Sequence, residues 1–330
     1  MLISAKGMAM GAADVVPGVS GGTIALIAGI YKELISTLTS FNFGVIKTLK
    51  EDGFTAAFNA INGKFLLALI SGIAISILSL AKLFHYLINH EPVLVWAFFF
   101  GLIVASVWLI GNRVTQWSVG NWVALLIGAI ISFGVTVVSP AQGPDTYWYL
   151  FLSGILAFVA MILPGISGSF ILLLLGAYHL ILGKVSTLLD GLKDMDFTII
   201  LTNGISLGIF AFGGIVGLLS FSRVLKWMFE KYENQTLALL TGFLIGSLNK
   251  VWPWKETLET FTKHAGEPKE TVIPLVQKNV LPNANFSIIS ENDTLLGITE
   301  KSPEIGMALG LFVLGFLIIF VLERVSAKHA

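Results

Sequence analysis

Two stretches, PGVSGGTIALIAGIY from Pro17 to Tyr31 and PGISGSFILLLLGAY from Pro164 to Tyr178, repeat one phrase and place a Pro-Gly pair inside apolar sequence. Proline removes a backbone donor and glycine favours non-helical conformations, so each pair breaks a helix. In hydrocarbon the freed backbone groups find no water, and such a break has to lie against protein or line a polar cavity. Matched breaks in two halves of a chain point to the place where a transporter holds its cargo.

Working outward, the offset of 147 that superposes Pro17 on Pro164 also aligns Gly7 with Gly154, Ser20 with Ser167, Gly21 with Gly168, Gly29 with Gly176 and Tyr31 with Tyr178. Further on, an offset of 141 aligns Gly72, Ser79, Lys82, Gly101 and Ser106 with Gly213, Ser220, Arg223, Gly242 and Ser247. A duplication explains both. The first copy takes residues 1–145, with a broken segment at 7–36 and apolar spans near 65–86, 93–111 and 121–139. The second takes 146–330, with a broken segment at 152–183 and spans near 198–221, 236–250 and 304–322.

Composition sets the class. With 55% hydrophobic residues, 12% charged and a mean hydropathy of +0.85, the chain reads as an integral membrane protein. A net charge of +0 argues against a nucleic-acid partner, and the lack of cysteine excludes disulfides and thiolate chemistry. No histidine clusters with other ligand types, so no metal centre or other cofactor is expected. Asp14 and Pro17 interrupt what would be the apolar core of a cleavable signal, which keeps the N-terminus in the fold.

The arms flanking each break are about ten residues, roughly 15 Å of helix and half the hydrocarbon thickness. That length predicts re-entrant hairpins. The expected fold is an all-α membrane protein with an inverted-topology repeat, each copy a re-entrant helical hairpin followed by three transmembrane helices. The alternative, a kinked full crossing, would make the copies parallel. Basic residues favour hairpins: Lys6, Lys32, Lys47, Lys50, Lys64, Arg113, Arg223, Lys226, Lys231 and Arg324 then share one side, which places both termini in the cytoplasm. The polar stretch 251–303 reads as an extracytoplasmic insert, with alternating runs at 271–276 and 285–289 that suit a β-hairpin.

Behind each break stands a small, hydroxyl-rich helix start: Ser20, Gly21, Gly22 and Thr23 in one copy, Ser167, Gly168 and Ser169 in the other. Unpaired amides, hydroxyls and the positive end of a helix dipole suit an anion, and two such tips facing each other would cradle one phosphate. The plain alternative is that small residues there only allow close helix packing. Asp14 is a carboxylate in an apolar run; it either carries proton or cation coupling or caps the tip's amides, and its counterpart in the second copy is Met161. Lys82 and Arg223, equivalent in the two copies, either snorkel or draw a headgroup to each mouth of the pathway. Glu33 is placed at the cytoplasmic rim, paired with Lys32 or another base.

These paired motifs, Asp14-x-x-Pro17-Gly18-x-Ser20-Gly21-Gly22-Thr23 with Gly29-x-Tyr31, and Pro164-Gly165-x-Ser167-Gly168-Ser169 with Gly176-x-Tyr178, resemble the bacterial polyprenyl-phosphate translocases over nearly the whole chain. The resemblance implies a lipid transporter of the bacterial cytoplasmic membrane, not an enzyme. Its cargo would be undecaprenyl phosphate, moved from the outer to the inner leaflet for reuse in cell-wall synthesis, with a proton or sodium gradient as the candidate driving force. A membrane-embedded lipid phosphatase and a channel or transporter for small soluble anions are the rival readings.

Overall fold

A computed structural model describes residues 2–15, 20–138, 143–263, 271–282, 286–289, 298–301 and 304–327. Pro17 and Gly18, the side chain of Lys82 and much of the 251–303 stretch, including Asn285, lie outside the described residues.

The chain is predominantly helical. In the first copy α1 (Leu2–Val15), α2 (Gly21–Ile27) and α3 (Tyr31–Ser40) are followed by two short helices, α4 (Phe43–Glu51) and α5 (Gly53–Ala60). Then come α6 (Gly63–His90), α7 (Pro92–Gly111) and α8 (Val119–Val137). The second copy repeats the plan without the two short helices: α9 (Tyr147–Ile162), α10 (Gly168–Leu174), α11 (Ala177–Asp194), α12 (Phe197–Lys231), α13 (Glu233–Ser247) and α14 (Ile305–Ala327). Among the described residues α6, α7, α8 and α12 are each long and apolar enough to cross a membrane, and the bent pair α10–α11 raises four such spans to as many as five. The protein is a multi-pass membrane protein.

Between α13 and α14 the described residues form two antiparallel pairs, β1 (Lys255–Lys263) with β2 (Thr271–Asn279) and β3 (Phe286–Ile289) with β4 (Ile298–Lys301). The run at 271–276 is thus strand, as its alternation predicts.

Four helix pairs build the body: α1 with α6, α9 with α12, α7 with α14 and α8 with α13. Each is held by glycines whose missing side chain admits a neighbouring backbone. A Cβ on Gly72 would lie 2.1 Å from the Ser4 carbonyl oxygen, and on the equivalent Gly213 it would lie 2.2 Å from that of Phe151. Gly101 faces Phe312 and its counterpart Gly242 faces Leu125, each at 2.0 Å, while Gly128 faces Leu239 and Gly315 faces Phe98. The contact that one glycine makes in the first copy therefore recurs at the aligned position of the second. One exchange is reciprocal: Gly11 sits on Ile73 in α6, whereas in the second copy the large residue is Phe158 and the small one Gly214.

All four pairs run parallel. Phe151 lies on Gly213 and Ile155 on Gly217; Leu125 lies on Gly242 and Ala129 on Gly246. Gly7 meets Leu69 while Gly11 meets Ile73 and Ser76, and Phe100 contacts Phe312 while Trp108 contacts Phe320.

The core gathers on α7 and α13. Ile103, Ala105 and Ile110 of α7 and Ala238, Leu240 and Leu244 of α13 are completely shielded, together with Ala25 and Ile27 of α2. By contrast α6, α8 and α12 turn Leu78, Ile130, Leu201 and Phe212 outward, a pattern that acyl chains satisfy and water does not.

Packing of this kind predicts opposite outcomes for one substitution at two places on α12. Gly213→Ala inserts a methyl into the Phe151 backbone and should cost about 1–3 kcal/mol. Gly208→Ala meets nothing within 4 Å and should be neutral or stabilise by up to about 1 kcal/mol through helix propensity. Thermal unfolding of the two variants in detergent checks the contrast.

Candidate functional site

Both breaks are bounded by residues that fix the chain locally. Ser20 is the N-cap of α2, extended at φ −121°, and its hydroxyl accepts from the Gly22 amide at 3.1 Å. Asp14, at the end of α1, reaches the same helix start and accepts from the Gly21 amide at 2.6 Å. The first turn of α2 therefore already holds an anion, the protein's own carboxylate, in the place where amide donors and helix dipole favour one. Asp14 thus makes the contact that its capping reading requires.

In the second copy the counterpart of Asp14 is Met161, and the arrangement differs. Ser167 is the N-cap of α10 but its hydroxyl bonds to that of Ser169 at 2.9 Å instead of to a backbone amide. Ser167 is 6% exposed, whereas Ser169 is exposed. Gly168 has no room for a side chain, since a Cβ would lie 2.6 Å from the Ala157 carbonyl oxygen. Gly165 adopts φ +81° with the end of α13 against it, a conformation and a clearance that only glycine combines.

Three hydrogen bonds tie the two breaks to each other. The Gly165 amide donates to Thr23 Oγ1 at 2.9 Å, the Ser20 hydroxyl donates to the Met161 carbonyl at 3.2 Å, and the Tyr31 hydroxyl donates to the Ile162 carbonyl at 3.0 Å. Ser20, Thr23 and Tyr31 are 1%, 0% and 2% exposed, so the exchange is sealed from solvent and lipid. Gly22 completes the contact: its Cβ would stand 2.5 Å from the Ile162 carbonyl oxygen. The structure thus brings Ser20, Gly22 and Thr23 against the second break, with Asp14 on Gly21 beside them, while Ser167 caps α10 and Gly168 and Ser169 open it.

The turns that close the two short helices also correspond. Gly29 and Gly176 are both left-handed, at φ +72° and +67°. The carbonyls one residue earlier receive side-chain donors, Ala28 from Lys6 at 2.7 Å and Leu175 from the Tyr149 hydroxyl. After Gly176 the chain bends by 103° into α11.

Charged residues named from the sequence stand away from this centre. Glu33 does not pair with Lys32; it accepts from the Asn62 amide at 3.2 Å. Lys32 instead crosses to Glu233 in the second copy at 2.5 Å, an exposed pair of small energetic weight. Arg223 donates to the carbonyls of Leu219 and Phe41, which anchors α12 to the end of α3. Lys82 belongs to α6, and its side chain lies outside the described residues. Sequence reading gave the hydroxyl of Tyr31 no role, although the repeated Gly-x-Tyr was its signal; only the Tyr31 copy is sealed inside, and Tyr178 is half-buried against His179. Lys6 as a helix cap had no sequence signal at all.

A shallow groove of about 500 Å3 runs beside the second break, lined by apolar residues of α8, α9 and α10, among them Val138, Leu156, Val159, Leu163, Ile166 and Ile171.

Comparison with known proteins identifies the family. The chain is 43% identical over 307 residues to a polyprenyl-phosphate transporter of Vibrio cholerae, covering 93% of this chain and 94% of that one. It is 32% identical over 260 residues to a polyprenyl-phosphate transporter of Staphylococcus aureus, covering 75% and 84%. No solved structure matches. The model of the undecaprenyl phosphate translocase-like family matches residues 10–269, across both breaks and the helices between them, and the chain belongs to that family.

Proposed function

We propose that the protein transports polyprenyl phosphate across the bacterial cytoplasmic membrane by shielding the phosphate between the two breaks while the isoprenoid tail stays in lipid. The observation that carries this reading is the set of buried hydrogen bonds from Ser20, Thr23 and Tyr31 to the backbone of residues 161–165. They bring the two polar breaks of an otherwise apolar body to one place, and a phosphate headgroup has no other low-cost route through hydrocarbon. Family membership and the names of the relatives agree with it. The direction is from outer to inner leaflet, and undecaprenyl phosphate is the cargo. The protein acts as a carrier and forms or breaks no bond in the lipid.

An inverted repeat gives such a carrier two states, one open to each leaflet. The parallel run of α7 with α14 and of α8 with α13 supports it. With α7 and α8 crossing in succession, α7 and its counterpart α13 then point in opposite senses. Both termini lie in the cytoplasm in this arrangement, and the 251–303 stretch lies outside.

Ser20, Gly21, Gly22, Thr23, Ser167, Gly168 and Ser169 hold the headgroup in this scheme. In the state described the first tip is closed: the Gly21 amide serves Asp14, the Gly22 amide serves Ser20, and the hydroxyls of Ser20 and Thr23 serve the second copy. Two negative groups on one helix start repel each other, so Asp14 leaves Gly21, is protonated or gains a cation when the phosphate arrives. This exchange is where a proton or sodium gradient enters.

Two measurements in sealed vesicles containing labelled polyprenyl phosphate test the scheme. Ser20→Ala with Ser167→Ala should lower headgroup binding about tenfold, the effect of losing hydrogen bonds to a charged group; unchanged binding and flux would remove the tips as the site. Asp14→Asn keeps an oxygen for the Gly21 amide and deletes the charge, so headgroup binding should be retained or tightened while flux loses its response to a proton or sodium gradient. A variant whose gradient response equals that of the parent would exclude Asp14 from coupling.

A further inference from the structure

Downstream of α13 the chain turns two lysines inward beside the second break. The last turn of α13 packs on Gly165, where a Cβ would meet the Phe243 carbonyl oxygen at 2.7 Å and Ser247 Oγ at 3.0 Å. Three residues on, Lys250 Nζ lies 4.2 Å from the ring centroid of Phe170 in α10. Lys255, the first residue of β1, folds back so that its Nζ donates to the Lys250 carbonyl at 2.5 Å and stands 3.6 Å from the ring centroid of Trp96 in α7. It is 5% exposed.

Neither ammonium group has a carboxylate within 4.0 Å among the described residues, whose ion pairs are Lys32–Glu233, Lys47–Glu51, Lys184–Asp145 and Lys193–Asp190. A buried cation beside a half-buried one, with no counter-charge among the described residues, is costly, and aromatic faces offset only part of that cost. Burial and the neighbouring Lys250 charge both push the Lys255 pKa well below the ordinary lysine value. A bound anion would reverse both penalties.

The neighbourhood narrows the kind of anion. Phe170, under the Lys250 ammonium, is followed by Ile171, which lines the apolar groove of about 500 Å3 between α8, α9 and α10. A cation resting on the residue next to an apolar trough suits a molecule with one charged end and a hydrocarbon chain better than a free inorganic anion.

We propose that Lys250, with Lys255 behind it, binds the phosphate of the transported lipid at the insert side of the second break, and that the first isoprene units lie in the groove of Leu156, Val159, Leu163 and Ile171. The assignment rests on the lipid-transport reading and adds a residue and a tail path to it. Lys250 touches the cargo; Lys255 positions the Lys250 backbone through its hydrogen bond and adds positive potential.

The test uses the full chain in lipid nanodiscs with three probes: a polyprenyl phosphate, the corresponding polyprenol, and inorganic phosphate. Lys250→Met should weaken polyprenyl-phosphate binding about tenfold, the range for losing a charge-assisted contact, while Lys250→Arg stays within about threefold of the parent. Polyprenol binding and melting temperature should be the same in all three proteins, and inorganic phosphate should not displace the lipid. If Lys250→Met melts early, Lys250→Gln is held to the same criterion. Equal affinity for the phosphorylated lipid in the parent and the charge-deleted variant overturns the assignment and leaves the transport reading intact. Displacement by inorganic phosphate overturns the tail path. A parent protein that binds no polyprenyl phosphate overturns the transport reading itself, and this assignment with it.

Discussion

A peptide group in the middle of a bilayer has no solvent to turn to, and every unpaired amide or carbonyl there costs several kcal/mol, about the stability margin of a whole domain. Interrupting a helix near 161–165 exposes several such groups at once. The protein meets the demand with side chains from the other half of the molecule: a threonine oxygen for the Gly165 amide, a serine for the Met161 carbonyl, a tyrosine for the Ile162 carbonyl. Everything else follows from having to bring those donors and acceptors together. Gly22 and Gly165 must be glycine for the segments to approach, α13 must press on the second break, and α7 and α13 must be shielded enough to hold the contact rigid.

The surrounding scaffold solves a different problem. Helices in lipid gain little from hydrophobic burial against each other, so close backbone approach has to supply the attraction. Gly72 and Gly213, and Gly101 and Gly242, do this at aligned places in the two copies, and Gly128 on α8 and Gly315 on α14 do it as well. At one position the copies part: Gly11 against Ile73 became Phe158 against Gly214, which keeps the summed volume while reversing which helix is small. α1 and α6 can therefore be changed only as a pair.

Much of this was written plainly in the sequence. The duplicated Pro-Gly phrase and the shared glycines marked out the two copies, because backbone breaks and close packing can be encoded by few residue types. The candidate cap at Asp14 was readable too, since a carboxylate in an apolar run has few uses. What escaped depended on contacts between positions more than a hundred residues apart. No local pattern says that Tyr31 reaches Ile162 while its counterpart Tyr178 does not, or that Lys32 prefers Glu233 to its neighbour Glu33. The seven-residue length of α10 and the sharp bend after Gly176 were equally hidden, because the apolar sequence runs straight through them. Lys250 and Lys255 read as ordinary polar residues at the edge of an insert, and only the fold turns them inward.

The carboxylate that sits on α2 has a thermodynamic consequence for any cargo of like charge. In the proposed scheme affinity at that spot is a difference between two occupants, because an incoming phosphate gains the Gly21 amide only as Asp14 gives it up. Displacing a resident acceptor returns less free energy than filling an empty site would, which favours release. A conveyor has to let go as readily as it grips, and an internal competitor sets that limit from within the chain.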